Sequence, residues 1–213
     1  MINYDFINKY IRNTIRENDG LLKELEEFAE KNHVPIIQPE VAKLITVIGR
    51  IHRPHRVLEI GTAIGYSAIL MASFLADGGK IDTIERYDVM IDRARENIKK
   101  AGLQKVISVI AGDAEDVLPN LDKEYDMIFA DAAKGQYMDF LPDMLRMLKP
   151  GGLLISDNVL YKGMVASDEL VIRRKKTIVT RMREYLDEIC NNDMLETSII
   201  PIGDGVALSY KIK

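Results

Sequence analysis

The sequence has no tryptophan and a single cysteine among its 213 residues, and only 14 glycines and 7 prolines. The lone Cys190 cannot form an internal disulfide, which excludes a disulfide-stapled secreted domain and favours a reducing, cytoplasmic environment. The low glycine and proline content excludes a collagen-like chain. No stretch reaches the roughly 20 uninterrupted apolar residues of a membrane span, and residues 1–16 lack the apolar block of a signal peptide. We therefore expect no membrane partner.

Neither sign of charge dominates the composition. Lysine and arginine number 29 and the acids 33, for a formal net charge of −4, which excludes a polycation that coats nucleic acid. No repeat or flexible linker interrupts the chain. We therefore predict one domain over residues 1–213, with a helical extension at 1–52 and a core at 53–213.

Short apolar runs of strand length alternate with helical patterns in the core, which predicts a parallel sheet with helices on both faces. A long helix is expected at about 168–191, and an antiparallel hairpin closes the chain around Ile202-Gly203-Asp204. The predicted strands are Arg56–Ile60, Lys80–Glu85, Val106–Ala111, Tyr125–Ala130, Gly152–Ser156, Leu195–Pro201 and Gly205–Ile212.

An acidic residue stands at or just beyond the end of each predicted parallel strand. In an open α/β sheet these ends lie along one edge, where ligands bind. Any one of these acids could simply cap the next helix, but five close carboxylates repel one another unless cations or hydrogen-bond donors neutralise them. The pattern predicts a site for positive charge and hydroxyl groups, formed by Glu59, Glu85, Asp113, Asp131 and Asp157.

The turn after the first strand carries two glycines with the spacing G-x-x-x-G. Gly61 and Gly65 permit a tight turn before a helix that starts near Tyr66. The dinucleotide fingerprint G-x-G-x-x-G is absent, and Glu59 would repel a pyrophosphate but attract the ammonium group of an amino-acid-like ligand. Glu85 is placed to accept hydrogen bonds from ribose hydroxyls, and Asp113 from an adenine amino group.

Six segments together resemble the metal-dependent class I S-adenosylmethionine O-methyltransferases, the family of catechol and caffeoyl-coenzyme A O-methyltransferases. They are VLEIGTAIGYSA (57–68), TIER (83–86), GDA (112–114), FADAAKGQY (129–137), LKPGG (148–152) and SDNVLYKG (156–163). Among these enzymes the sequence is most similar to bacterial members that methylate 5-hydroxyuridine at the tRNA wobble position.

The resemblance implies a Rossmann-like fold with a seven-stranded sheet, a homodimer, and S-adenosylmethionine as methyl donor. It assigns donor binding to Glu59, Gly61, Ser67, Glu85, Asp113 and Asp131. It also places Ile37 against the donor, although the family often has methionine there and simple core packing would equally explain an isoleucine.

Three oxygen-bearing side chains follow two of the predicted strands. Asp131, Asp157 and Asn158 suit a hard cation such as Mg²⁺, while a helix cap and a turn pair are the structural alternatives. Lys134 lies three residues after Asp131 and can accept the acceptor's hydroxyl proton when burial or a nearby cation keeps it neutral. Only its place in FADAAKGQY separates it from an ordinary solvated lysine.

Chelation by one metal requires two neighbouring oxygens, which a catechol and 5-hydroxyuracil both offer. Two basic clusters therefore bear on the substrate, although either could be only a solvated surface. One comprises Arg50, His52, Arg53, His55 and Arg56; the other comprises Arg173, Arg174, Lys175, Lys176, Arg181 and Arg183, of which Arg173, Lys176 and Arg183 are expected to face solvent.

The leading hypothesis is a Mg²⁺-dependent methyltransferase that converts 5-hydroxyuridine in tRNA to 5-methoxyuridine, with the basic helix around Arg173–Arg183 contacting the tRNA. The first alternative is the same chemistry on a catechol-like phenol or a caffeoyl-coenzyme A ester. The second is a non-catalytic partner subunit that binds the donor alone.

Overall fold

Helices and strands alternate along the chain in the computed structural model, which describes residues 2–213. The helices are α1 (Asp5–Thr14), α2 (Gly20–Asn32), α3 (Pro39–His52), α4 (Tyr66–Ala72), α5 (Asp88–Lys100), α6 (Ala114–Val117), α7 (Tyr137–Met147) and α8 (Lys176–Asn191). The strands are β1 (Arg56–Ile60), β2 (Lys80–Glu85), β3 (Ile107–Ala111), β4 (Tyr125–Ala130), β5 (Leu148–Asp157), β6 (Leu195–Ile200) and β7 (Val206–Lys211).

Within residues 2–213 the strands form one seven-stranded sheet in the order β3-β2-β1-β4-β5-β7-β6. The pairs among β1 to β5 are parallel, whereas β7 runs antiparallel to both β5 and β6. The predicted fold class is therefore confirmed, including the C-terminal hairpin.

The sheet buries one hydrophobic cluster on each face, as expected for alternating side chains. Leu58 and Ile60 pack with α7 and α8 side chains such as Tyr137 and Tyr185. Val57 packs on the other face with α2 and α3 side chains such as Val41. Glu59 alternates onto the same face as Val57, so an acid occupies a position that the strand pattern assigns to the core.

The predicted strands are confirmed to within a few residues, but the long helix is wrong. Residues 168–175 form two short 3-10 turns, Asp168–Leu170 and Arg173–Lys175, and α8 begins only at Lys176. Strand β5 also starts four residues earlier than predicted, because Leu148 pairs with Tyr125 across a register shift.

Helix α1 differs from the other N-terminal helices in how little it packs. Helices α2 and α3 contribute buried residues to the core, whereas none of residues 5–14, all of which the structure describes, is buried. Helix α3 ends at His52, the last residue of the predicted extension. No helix within residues 2–213 is both long enough and apolar enough to cross a membrane.

Candidate active site

The five predicted acids meet along one edge of the sheet. The parallel register aligns Glu59 with Thr83 and Ala130 with Ser156, so Asp131 and Asp157, the next residues along, lie side by side. A cavity of about 690 Å³ opens at this edge. It is lined by the predicted residues Ile37, Gly61, Ser67, Glu85, Asp113, Asp131, Lys134, Asp157 and Asn158, together with others.

Glu59 is fully buried beside this cavity, next to its lining residues Ile60 and Gly61. Its Oε2 accepts a hydrogen bond of 2.5 Å from the Thr83 hydroxyl, whereas Oε1 has no partner among residues 2–213. Burial, with smaller contributions from the charges of Asp131 and Glu85, raises the pKa of Glu59 to about 8, although hydrogen bonds from Ser67 and Thr83 act in the opposite direction. A buried carboxyl with an unpartnered oxygen fits a ligand that brings a positive charge into the cavity.

Glu85 is a fixed acceptor at the end of β2. The backbone N–H of Ala63 donates to its Oε2 at 2.8 Å, and the N–H groups of Arg86 and Tyr87 donate to its Oε1 at 2.9 and 3.0 Å. These three bonds hold the carboxylate in one orientation at the cavity wall. This arrangement suits recognition of hydroxyl groups on a ligand.

Asp113 lines the cavity, as predicted, and also caps a helix, which was the structural alternative. Its Oδ1 accepts from the N–H of Glu115 as the N-cap of α6, and its Oδ2 pairs with Arg86 at 3.1 Å. Ile37 likewise has two roles in the structure: it lines the cavity, and it packs in the hydrophobic cluster that contains Val57. Core packing alone therefore explains its burial.

Both glycines of the first turn adopt left-handed backbone conformations, with φ of 103° at Gly61 and 84° at Gly65. A side chain at Gly61 would overlap the carbonyl oxygen of Asp131. The turn needs glycine because the backbones after β1 and β4 approach each other closely. The position of Asp131 therefore depends directly on Gly61.

The predicted metal ligands are adjacent at the ends of β4 and β5. Burial and the charge of Asp131 together raise the pKa of Asp157 to about 7. The amide N–H of Asn158 donates to Asp157 Oδ1 at 2.6 Å, and Asn158 has a left-handed φ of 58°. Within residues 2–213 no three His, Cys, Asp or Glu side chains converge as a metal cluster. Two carboxylates that repel each other and an amide oxygen nevertheless fit a hard divalent cation.

Lys134 lies between the two halves of the site. Its Nζ donates to Asp131 Oδ1 at 2.6 Å, and about four-fifths of its side chain is buried. Lys134 and Asn158 line both the cavity at the sheet edge and a second cavity of about 750 Å³. The second cavity, which we call the acceptor-side cavity, lies between α1 and the loop after β5.

Sequence reasoning missed the residues of α1 that line the acceptor-side cavity, namely Asp5, Asn8, Lys9, Arg12 and Asn13. The amphipathic pattern of α1 indicates a helix but not the distant loop that it faces. Tyr161 and Lys162 also line this cavity, and their place in SDNVLYKG was the available signal. Thr83, the partner of Glu59, could likewise have been found in TIER.

The family model of the O-methyltransferases matches residues 12–212. This chain belongs to the O-methyltransferase family. A catechol O-methyltransferase from Niastella koreensis is 33% identical over 171 residues, which cover 78% of this chain and 77% of that protein. The predicted family is therefore confirmed, and with it the class of enzyme.

Solved structures of relatives have the same fold. A Staphylococcus aureus protein provisionally named a caffeoyl-CoA O-methyltransferase is 36% identical, with a TM-score of 0.89 over 97% of this chain and 100% of that one. An O-methyltransferase from Bacillus cereus, solved in complex with SAH, is 26% identical, with a TM-score of 0.86 over 99% of this chain and 100% of that one.

The first basic cluster of the methyltransferase lies away from the site. Arg56 begins β1, whereas the cavity opens at the other end of that strand, so the cluster at 50–56 is on the opposite edge of the sheet. Backbone N–H groups of His55 and Arg56 donate to Asp126, and His52 contacts the Asp126 carbonyl. This cluster therefore cannot line the acceptor-side cavity.

Some cations of the second basic cluster are occupied by protein partners, and others are exposed. Arg183 was predicted to face solvent, and its side chain is 39% exposed, but its guanidinium donates to the carbonyls of Met164 and Val165 and pairs with Asp168. Arg181 pairs with Asp139 at 2.8 Å. The exposed cations are Arg173, Arg174 and Lys176, and Lys175 lies with its Nζ 5.7 Å from the ring centroid of Tyr161.

Proposed function

We propose that this methyltransferase transfers the methyl group of S-adenosylmethionine to the 5-hydroxyl of 5-hydroxyuridine at the tRNA wobble position, with Mg²⁺ as cofactor. The observation that carries the proposal is that Lys134 and Asn158 line both cavities. A donor in the sheet-edge cavity and an acceptor in the other would therefore meet at these two residues. The reaction gives 5-methoxyuridine and S-adenosylhomocysteine.

The sheet-edge cavity offers a complementary group for each part of the donor. The ammonium group of the donor's methionine moiety would pair with the buried carboxylate of Glu59, whose Oε1 has no partner among residues 2–213. Glu85, held by three backbone N–H groups, would accept from the ribose hydroxyls, and Asp113, which also lines the cavity, would accept from the adenine amino group. The SAH complex of the Bacillus cereus relative supports this choice of donor.

Asp131, Asp157 and Asn158 would hold the divalent cation. When bound there, the cation would act as a Lewis acid that favours the oxyanion of the acceptor hydroxyl, and as a template for two neighbouring oxygens. In-line displacement requires an acceptor oxygen that is an oxyanion or nearly so. The residues of the chain must therefore also remove a proton.

Lys134 is the residue placed to take that proton. Its ammonium is paired with Asp131, so it acts as a base only after this ion pair opens and a proton leaves Nζ. The free amine then accepts the acceptor's hydroxyl proton as the oxygen attacks the methyl carbon. The carbon–sulfur bond breaks, and its electron pair stays on the sulfur of the departing thioether.

Positive charge around the acceptor-side cavity supports an acceptor with phosphates. Lys9 and Lys162 line it beside the acids Asp5 and Asp204, and Lys175 contacts Tyr161 at its rim. Arg12 also lines it, but its guanidinium is paired with Glu40. From there the exposed cations Arg173, Arg174 and Lys176 extend the basic surface. Phosphates flanking a nucleoside in the cavity would follow this surface.

The names of the relatives favour a second candidate, which is methylation of a catechol or of caffeoyl-coenzyme A. Coenzyme A also carries phosphates, so charge alone does not separate it from tRNA. The ring chemistry does not separate them either, since all of these acceptors offer two neighbouring oxygens. A direct competition between acceptors is therefore needed.

The test supplies labelled S-adenosylmethionine and Mg²⁺ with four acceptors: tRNA that contains 5-hydroxyuridine, the same tRNA with unmodified uridine, caffeoyl-coenzyme A and catechol. We expect transfer only to the hydroxylated tRNA, and loss of transfer with EDTA. Transfer chiefly to either small molecule would replace the proposed substrate. Donor binding without transfer to any acceptor would identify a non-catalytic subunit.

A further inference from the structure

The loop after β5 has an unusual backbone. Within this loop, which we call the acceptor loop (residues 158–163), φ is 58° at Asn158, 44° at Tyr161, 58° at Lys162 and 81° at Gly163. Left-handed conformations are disfavoured for residues with a Cβ, so three of them in one loop need outside support. The same loop carries the proposed ligand Asn158 and two residues that line the acceptor-side cavity.

That support comes from the turn between β6 and β7. The backbone N–H of Lys162 donates to Oδ1 of Asp204 at 2.5 Å, so a carboxylate meets the loop at one of its left-handed residues. The Leu160 N–H donates to the carbonyl of Asp204 at 3.0 Å, and the Val159 N–H donates to that of Gly205 at 2.9 Å. Three hydrogen bonds thus join the turn to the loop.

The turn between β6 and β7 packs closely against both of its neighbours. A side chain at Gly203 would lie 2.6 Å from Cγ2 of Val41 on α3, and one at Gly205 would overlap Leu160. Both glycines have positive φ, 59° and 88°. The turn therefore fits between α3 and the acceptor loop with no room for movement towards either, which makes it a rigid base for the Asp204 carboxylate.

We propose that Asp204 is a positioning residue, which holds the acceptor loop in its left-handed conformation and so directs Asn158 towards the metal ligands and Tyr161 and Lys162 towards the acceptor. The carboxylate acts through the Lys162 N–H and not by contact with the donor, because Asp204 lines the acceptor-side cavity and not the sheet-edge cavity. The part that concerns catalysis rests on the proposed function.

This role requires a hydrogen-bond acceptor at Oδ1, which asparagine retains and alanine lacks. Asp204→Ala should leave the two backbone contacts of the turn intact and remove only the side-chain bond. A role for the negative charge would instead make the alanine and asparagine variants equally defective. The pair of variants therefore separates positioning of the loop from electrostatics.

The experiment compares Asp204→Ala and Asp204→Asn with Asp122→Ala, a control at an exposed loop position before β4. Hydrogen exchange of the Lys162 amide, measured on the protein alone, should accelerate about tenfold in Asp204→Ala, because the hydrogen-bond acceptor of this amide is lost. Mn²⁺ affinity, read by electron paramagnetic resonance, should fall about tenfold, as for other residues that orient a metal ligand.

Affinity for S-adenosylmethionine should remain within about twofold in all three variants, whereas the KM for the acceptor should rise about tenfold in Asp204→Ala only. The Asp204→Asn protein should recover wild-type exchange and Mn²⁺ affinity. Unchanged exchange of the Lys162 amide in Asp204→Ala would overturn the proposal, as would equal defects in both variants. Failure of the proposed substrate would appear separately, as absent transfer in the wild-type protein that nevertheless protects this amide.

Discussion

The buried carboxyl of Glu59 predicts that donor binding releases a proton. With a pKa of about 8, Glu59 is almost entirely neutral at pH 6.5, whereas pairing with the donor's ammonium requires the carboxylate. Binding at pH 6.5 should therefore release about one proton per donor. Below pH 7.5 the donor affinity should rise about tenfold per pH unit, because the ionised fraction of Glu59 rises by that factor.

Isothermal titration of the protein with S-adenosylmethionine, in buffers of different ionisation enthalpy, measures the number of protons released. Glu59→Gln preserves the shape of the side chain but cannot ionise, so its proton release should be close to zero and its affinity independent of pH in this range. Glu30→Gln changes an exposed glutamate on α2 and should behave like the wild type.

The same raised pKa predicts that the stability of the fold falls with rising pH, whereas the donor affinity rises. Because the folded state holds the Glu59 proton more tightly than the unfolded state, this stabilisation is complete below the unfolded pKa of 4.5 and is lost as the pH rises through about 8. Between pH 5.5 and 7.5 the stability of Glu59→Gln relative to the wild type should increase by about 2.5 kcal/mol in urea unfolding. Proton release that survives in Glu59→Gln would refute this account of the donor site.

Three further predictions concern the rest of the site. Lys134→Ala should cut turnover about 100-fold or more and leave the donor Kd nearly unchanged, as measured by steady-state kinetics and titration. Gly61→Ala should destabilise the fold by about 2 kcal/mol in urea unfolding and weaken Mn²⁺ binding, because its Cβ displaces Asp131. Replacing Arg173, Arg174 and Lys176 together by alanine should raise the KM for tRNA and lower the salt slope of binding by about two to three.

Each of these outcomes has a result that contradicts it. Normal turnover of Lys134→Ala at saturating metal would remove this lysine from the mechanism. Normal Mn²⁺ affinity in Gly61→Ala would show that Asp131 tolerates the added methyl group. A tRNA affinity that does not respond to salt in the wild-type protein would favour a small acceptor over a nucleic acid.

The sequence pattern was sufficient for the sheet and for the donor side of the site. Strands that end in an acid can be recognised from a few neighbouring residues. Because the strands are parallel, Glu59, Glu85 and Asp131 must then lie at the same edge of the sheet. Asp157 and Asn158 were accessible for the same reason. The contact between Thr83 and Glu59 depends in addition on the pairing of β2 with β1, which the local pattern of TIER does not give.

The long helix was mispredicted because a tertiary contact overrides the local pattern. Residues 168–175 have the spacing of a helix, but Arg183 reaches back from α8 to the carbonyls of Met164 and Val165 and to Asp168. These bonds stabilise the 3-10 turns in place of a continuous helix. The partners that occupy Arg183 could therefore not be predicted from its position in the pattern alone.

The two cavities depend on different parts of the chain, which has a consequence for specificity. The sheet-edge cavity, proposed to hold the donor, is formed by strand ends within the core. The acceptor-side cavity is closed by α1 and by Gly203 and Asp204 of the turn before β7. Since α1 buries no side chain, its position depends on polar contacts, chiefly the paired bonds of 2.8 and 2.9 Å from Arg12 to the buried Glu40. Substitutions on the cavity side of α1 other than at Arg12 therefore cost the core little. A change of acceptor, from a phenol to a nucleoside, can arise there while the donor and metal residues stay the same.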